Sequence, residues 1–439
     1  MRAHLFITPY FPPLSDSGVK RAVHLVRHLP SFGWAPVVLA TRAVNEPEDW
    51  SLLDAVPRET IVSYGYSGRL RPALKQAGQL LGPVRKRVLR RNGGRPPGGP
   101  PSSTDAGGKP KRDWTFLTPF DRFLADTPAG IRAGARLIRE HGLRAIHVSA
   151  DPWSGLVAAY ALHRRTGVPL VVDLRDPWST HEGKMALRPA LSRHWLRAFE
   201  AALFRAAAAV VLNTETAREA YVAAYQGRLP PDRFHCIRNA FDAGLFHAGE
   251  PERRPGFTLL YFGTFRKFVG PELLLQGFAR FVAREDLTPG EARLLVVGHV
   301  TPAHLRRAAA LGLDGFVESR AAVPFRESLP VLSGADALAL VVEPACQQQI
   351  PGKLYDYLAA GRPILAVSAN AEVNALIEDA GAGLAAPYDE PEATADRLAT
   401  LYRESRAGTP RVVAPEVLDA FTAREQARRL AGLLDGAAR

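Results

Sequence analysis

The sequence predicts an α/β chain of two domains, each built on a parallel sheet. Short apolar runs such as Leu170–Leu174, Leu259–Phe262 and Ala337–Val342 alternate with stretches of helical periodicity along most of its length. Strands that are apolar at nearly every position are buried on both faces, as in a parallel sheet covered by helices. With 439 residues the chain is long enough for two cores. The polar run HAGEPERRPG at 247–256 offers a linker between them.

Hydrophobic residues make up 46% of the chain and charged residues 23%, which is ordinary for a soluble globular protein. The two cysteines, Cys236 and Cys346, are far apart and lack metal-ligand spacing. That argues against a disulfide framework and fits a reducing cytoplasm. No apolar run is long enough to cross a bilayer, and MRAHLFITPYFPP reads as a first strand rather than a secretion signal. The formal net charge of +12 is concentrated in one place. Between Arg69 and Arg112 twelve Lys or Arg face one acid, Asp105, so that segment carries +11.

From the N-terminus, the strand Leu5–Thr8 leads through PYFPPLSDSG into a helix whose apolar face is Val19, Ala22, Val23, Val26 and Leu29, with Ser17 or Asp16 as its cap. A strand, a Pro/Gly loop and a helix N-terminus have the form of an anion or substrate loop. There Gly18 allows close backbone approach, and Lys20 or Arg21 can reach an anion or simply be surface charge. It is not a dinucleotide fingerprint, because the further glycines are missing. Strands follow at Pro36–Ala40 and Ile61–Tyr64. From Arg69 to Arg91 apolar residues step by three and four between basic ones, an amphipathic basic helix interrupted at Gly82-Pro83. A Gly/Pro/Ser tract with nothing to pack comes next, so an insert is expected at about 65–115. This helix either docks on an anionic membrane surface or packs on its own domain. No nucleic-acid module signature accompanies it.

Beyond the insert, Ala145–Val148 opens onto SADPWSG and Leu170–Leu174 onto DLRDPW. Both DPW triplets fall at strand carboxyl ends, where sites of parallel sheets form, so Asp151 and Asp176 are candidates for substrate contact. Asp176 competes with a structural pairing of Asp173–Arg175 or Arg175–Asp176, and His147 reads as a packed histidine. Strands at Ala209–Asn213 and Phe234–Ile237 lead to RNAFDAGLF. The second half continues with Leu259–Phe262, Leu294–Gly298, Phe316–Ser319 and Ala337–Val342. Pro351-Gly352 then starts a helix with Leu354, Tyr357 and Leu358 on one face, ended by Gly361 before the strand Ile364–Val367. The N–H groups of Gly352, Lys353 and Leu354 should bind an anion, with the Lys353 ammonium adding charge.

The stretch PGKLYDYLAAGRPILA resembles the donor-site helix of GT-B glycosyltransferases, in particular the retaining family 4. That family carries two glutamates eight positions apart, the first near the transferred sugar and the second on the nucleotide ribose. The matching positions here are Gln348 and Asp356. YFPP followed by a glycine and an arginine is similar to the family's first loop, and DLRDPW to loops of a bacterial subset. A histidine that some members place in the first loop corresponds here to Ala150. RNAFDAGLF resembles the family's domain boundary, with Ala240 where glycine is usual. After Gly263 the family has an arginine and then a lysine on the donor diphosphate. Thr264 and Val269 stand at those positions and Arg266 and Lys267 between them. The resemblance thus implies catalytic roles for Arg266, Lys267 and Gln348, with Arg266 first because its planar fork can take two phosphate oxygens. His299 matches a turn near the nucleotide base.

The resemblance further implies two Rossmann-like domains facing a cleft. Residues 1–246 would bind the acceptor and residues 257–415 the nucleotide-sugar donor, with a last helix in 416–439 crossing back to the first domain. It implies transfer of a sugar with retention, without a metal or other cofactor, to a lipid-linked or cell-surface glycan or to a small natural product. A fold of this kind that has lost transfer activity, or a sugar-nucleotide epimerase, are the contrasting expectations. The place implied is the cytoplasm, with peripheral contact at the membrane's inner face.

Overall fold

The structure is a computed structural model, and it describes residues 1–14, 18–41, 48, 50, 52–66, 121, 123–247, 249–263 and 271–439. The chain forms two units. The first comprises Met1–Leu212, Arg218–Cys236 and Leu430–Arg439, and the second Asn213–Ala217 and Ile237–Arg429. The basic helix expected near 69–91, with its tether, lies outside the described residues.

In the first unit, β1 (Arg2–Ile7), β2 (Trp34–Leu39), β3 (Ile61–Ser63), β4 (Ala145–Ala150), β5 (Leu170–Leu174), β6 (Ala209–Leu212) and β7 (Phe234–Cys236) form one sheet in the order β3-β2-β1-β4-β5-β6-β7. Every pair is parallel. The helices are α1 (Val19–His28), α2 (Thr127–His141), α3 (Ser154–Thr166), α4 (Glu182–Ala186), α5 (Ala190–Ala206) and α6 (Glu215–Ala224), whose first turn counts with the second unit. Helix α1 buries Val19, Val23 and Val26 as its spacing requires. Its cap position is Gly18, with no side-chain cap, rather than Ser17 or Asp16. Chain order reverses between β1 and β4, so the crevice outside their carboxyl ends is the place for a ligand.

The floor of this sheet holds two histidines. His147 stacks on Phe6 at 4.6 Å between ring centroids, and His4 meets Trp34 edge-on at 5.8 Å. Both are buried; the His4 ring has no hydrogen-bond partner among the described residues, and His147 Nε2 lies 3.7 Å from Asp173 Oδ2. Burial, and then the neighbouring His147, hold the His4 imidazole well below its usual pKa. The unfolded chain therefore takes up this proton first as pH falls. The stabilising contribution is complete above the ordinary histidine value of about 6.5 and is lost below it. We expect His4→Leu to flatten the loss of stability between about pH 7 and about pH 5. Urea unfolding at both pH values checks this; an unchanged slope would remove His4 from acid sensitivity.

In the second unit, β8 (Phe257–Phe262), β9 (Ala292–Val297), β10 (Val317–Arg320), β11 (Ala337–Val342), β12 (Ile364–Ser368) and β13 (Gly383–Pro387) pair in the order β10-β9-β8-β11-β12-β13, again all parallel. Its helices are α7 (Glu272–Arg284), α8 (Pro302–Ala310), α9 (Ser328–Gly334), α10 (Lys353–Ala360), α11 (Ala371–Asp379), α12 (Pro391–Arg406), α13 (Pro415–Asp419) and α14 (Ala423–Ala437). Successive strand side chains point to opposite faces. Leu259 and Tyr261 join Phe278 and Phe281 of α7 and Leu398 of α12 on one side. Leu260, Leu338 and Leu340 join Leu354, Tyr357 and Leu358 of α10 on the other. Both faces are cores, which is why these strands are apolar throughout.

The longer segment of the second unit begins at Ile237. Phe241 explains it: its N–H donates to Phe421 O at 3.1 Å and its carbonyl accepts from Ala423 N at 2.8 Å. The run expected as a linker is likewise fastened to this unit, His247 N donating to Arg326 O at 2.7 Å and Glu252 N to Pro330 O at 2.9 Å. Helix α14 starts in the second unit and ends in the first. There Asp435 accepts from Trp34 Nε1 at 2.7 Å and from Arg2 Nη2 at 2.5 Å.

Candidate active site

Each unit presents residues at its own point of strand-order reversal. In the first, the loop after β1 is fixed by Tyr64, whose hydroxyl donates to Pro12 O at 2.6 Å. It ends at Gly18, against which the Arg175 guanidinium lies. A Cβ on Gly18 would fall 1.1 Å from Arg175 Nη1, so glycine is required for that side chain to stay where it is. Arg175 also donates to the Asp151 carbonyl and sits 5.8 Å from the Tyr10 ring centroid. The expectation for Arg21 changes. Its guanidinium is buried and binds Asp173 through two bonds, Nε–Oδ2 at 2.8 Å and Nη2–Oδ1 at 3.0 Å. Burial pushes the Asp173 carboxyl up, but Arg21 overrides it and holds the group well below the usual range. Arg21 therefore braces α1 against β5, and the Asp173 carboxylate is taken by Arg21. Lys20 is half-buried on α1.

The two DPW triplets are a matched pair. Trp153 and Trp178 stack with centroids 4.9 Å apart and planes 5° from parallel. This stack brings Asp151 and Asp176, both half-buried, close enough to influence each other. The Asp151 carboxyl is pushed up to about 6 by burial, with Arg175 opposing and Asp176 and Asp121 reinforcing the shift. The second loop is held from beneath by buried Glu200 of α5, which accepts from Ser179 Oγ at 2.5 Å, Tyr225 Oη at 2.8 Å and Tyr221 Oη at 3.2 Å. The Tyr221 hydroxyl in turn accepts from Trp178 N at 2.8 Å. Asp121 plays the same part for the first loop, accepting from Ser154 N and Ser154 Oγ, each at 2.8 Å.

In the second unit, Lys353 at the start of α10 reaches back over β8. Its ammonium donates to Tyr261 Oη at 3.0 Å and lies 4.1 Å from the centre of that ring. A Cβ on Gly263 would stand 3.6 Å from Lys353 Nζ. Gly263 and Gly298 both have positive φ, 131° and 150°, and a Cβ on Gly298 would fall 2.2 Å from Gly263 O. The ends of β8 and β9 thus approach each other with no side chains, beside a fixed cation. Gly352 is exposed, with open space where a Cβ would be. The N–H of Leu354 is not available as expected: it donates to Pro351 O at 3.0 Å, and the side chain is core. Asp356 is half-buried on the first turn of α10, and His299 is exposed after β9. Arg266 and Lys267 lie outside the described residues.

Gln348 sits in a loop held from several sides. Asn370 Nδ2 donates to the carbonyls of Cys346, Gln347 and Gln349 at 2.7, 3.1 and 3.1 Å, and Thr214 Oγ1 donates to Gln348 O at 3.0 Å. Glu372 lies near the same loop but clasps a different segment, accepting from Glu215 N and Thr216 N at 2.9 Å each and pairing with Arg238. Neither Tyr261 nor Asn370 stood out in the sequence, because each acts on a partner distant along the chain. Glu343 directly follows β11. Its carboxyl is raised by burial, and Oε1 has no partner among the described residues. Among the described residues no group of three or more His, Cys, Asp or Glu is placed to hold a metal ion. No helix among them is long and apolar enough to cross a membrane.

Residues 256–404 match the family model described as Glycosyl transferases group 1, and residues 87–245 that described as Glycosyltransferase Family 4. No curated protein sequence matches the chain. Among solved structures, a glycosyltransferase from Rickettsia africae is similar over 99% of this chain and 98% of its own, at 10% identity and a TM-score of 0.59. The lipopolysaccharide outer core galactosyltransferase WaaB in its apo form is similar over 99% of each chain, at 12% identity and a TM-score of 0.57. Anabaena HepE in complex with UDP and glucose is similar over 98% of this chain and 95% of its own, at 14% identity and a TM-score of 0.56. With two parallel-sheet Rossmann-like units and both matches in sequence order, the chain belongs to the group 1, family 4 glycosyltransferases of GT-B fold.

Proposed function

We propose that this glycosyltransferase takes a sugar from a nucleoside diphosphate donor held by the second unit and passes it, with retention, to an acceptor held by the first. The observation that carries the reading is the Lys353 ammonium fixed by Tyr261 beside Gly263 and Gly298. A diphosphate needs a cation and close backbone, and this corner of the sheet offers both. UDP in the HepE complex supports a uridine nucleotide as the first donor to try. In the proposed step the bond from the anomeric carbon to the leaving phosphate breaks as the acceptor oxygen bonds to the same face. The acceptor's proton passes to a leaving-phosphate oxygen. Gly352, Lys353 and Asp356, with Arg266 and Lys267 from the loop after Gly263, would bind the donor, and Lys353 would neutralise the charge that develops on the phosphate. Gln348 would face the sugar, and Asp151 and Asp176 the acceptor. Protein cations carry the charge in this scheme, and no metal is given a part. A lipid-linked or cell-surface glycan is the proposed acceptor, supported by the +11 segment between Arg69 and Arg112, suited to an anionic membrane at the cytoplasmic side.

Melting shifts with UDP, GDP and ADP and their sugars identify the donor, and the anomeric configuration of the product settles retention. Asp356→Ala should weaken nucleotide binding by about 1.5–3 kcal/mol, the usual worth of a hydrogen bond to a charged group. Calorimetric titration of the folded variant checks this. Unchanged affinity would take Asp356 out of the ribose site, and absence of binding by any nucleotide would overturn the reading.

A further inference from the structure

We infer that the outer face of α4 and α5 is a docking surface for an anionic lipid bilayer. Leu187, Leu191 and Trp195 are 47%, 70% and 62% exposed. They follow one another at intervals of four, so Leu191 and Trp195 share the face of α5 opposite its buried residues Ser192, Leu196, Glu200 and Leu203. A row of two leucines and a tryptophan left open to water marks an interaction site rather than scattered surface.

Charge selects the partner. Along α4 and α5 the acids are Glu182, exposed at the start of α4, and Glu200, which is buried. Lys184, His194, Arg197 and Arg205 are all exposed. Helix α3 packs beside α5, Tyr160 meeting Phe199 edge-on at 5.8 Å, and ends in exposed Arg164 and Arg165 with no acid along its length. Cations flanking an apolar row fit lipid headgroups and the acyl boundary together. Tryptophan settles at that boundary while Lys and Arg stems reach the phosphates. A soluble polyanion would match the charge and leave Leu191 and Trp195 without a role. The surface is also tied to the chemistry, because Glu200 on the inner side of α5 holds Ser179, next to Asp176-Pro177-Trp178. Docking goes beyond the proposed transfer, since it stands whatever the acceptor is.

The test uses the full chain and vesicles of phosphatidylglycerol mixed with phosphatidylcholine. Vesicles with brominated acyl chains should quench tryptophan fluorescence, and Trp195→Phe should lose that quenching while keeping most of the binding. Leu191→Glu with Trp195→Glu should lower vesicle partitioning by about tenfold or more, with binding falling as salt rises. Both positions are exposed, so circular dichroism and nucleotide binding should be unchanged; nucleotide binding reports separately on the proposed donor site. Undiminished partitioning of the double variant would overturn the inference. So would loss of binding only on neutralising Arg85, Lys86, Arg87, Arg90 and Arg91, which would put membrane contact elsewhere. A concentration-dependent dimer of the native chain that the double variant dissolves would assign the face to a second copy instead.

Discussion

Replacing Lys353 by methionine should lower kcat/KM for the nucleotide-sugar donor by about two to three orders of magnitude, the usual cost of losing one preorganised donor to a developing oxyanion. Methionine keeps the aliphatic reach over the Tyr261 ring and removes only the charge. The effect belongs mainly in kcat, because the ammonium meets most negative charge as the phosphate departs. Steady-state kinetics with saturating acceptor checks it. Tyr261→Phe should act in the same direction but more weakly, since the cation stays over the ring and loses its hydroxyl partner. A fall of less than about threefold for Lys353→Met would assign the charge to Arg266 and Lys267 instead.

The largest expected effect on stability comes from Asp173→Ala. It leaves Arg21, 8% exposed, without the carboxylate that binds it through two bonds. Breaking a buried pair from one side costs about 3–5 kcal/mol, far more than the pair is worth against an apolar replacement. Chemical denaturation should show this loss. Replacing both partners by apolar residues of similar size should restore much of it. If the single variant were as stable as the native chain, Arg21 would have found water or another anion, and its bracing role would fall.

These two residues also mark how far the sequence could be read. The strands were legible because both faces of each sheet are core, so Leu170–Leu174 and Ala337–Val342 are apolar at nearly every position. Strand ends moved by up to three residues, as strand pairing rather than composition sets them. β13 does not stand out in the sequence, because Gly383–Pro387 is small and weakly strand-forming. Helix α5 was missed because Leu191 and Trp195 put large apolar residues on its outer side and blur the contrast between its faces. Helix α10 was recognisable as a local pattern, and Lys353 with it. Its partner Tyr261 is 92 positions away, and the partner of Arg21 is 152 away. Such pairs come together only through strand order, which no local spacing reveals. Leu354 failed as an anion ligand for a local reason: the first turn of α10 is tightened by its bond to Pro351 O.

The last turns of α14 have a consequence for how the protein is made. Trp34 and Arg2 leave the ribosome early, yet the carboxylate they bind belongs to Asp435, 401 and 433 positions later. The nascent chain can lay down all seven strands of its first sheet and still lack this seam. The second unit, complete in sequence by Arg429, is free to mature while its predecessor waits for the last turns of α14. The half that is synthesised first is therefore the last to be finished.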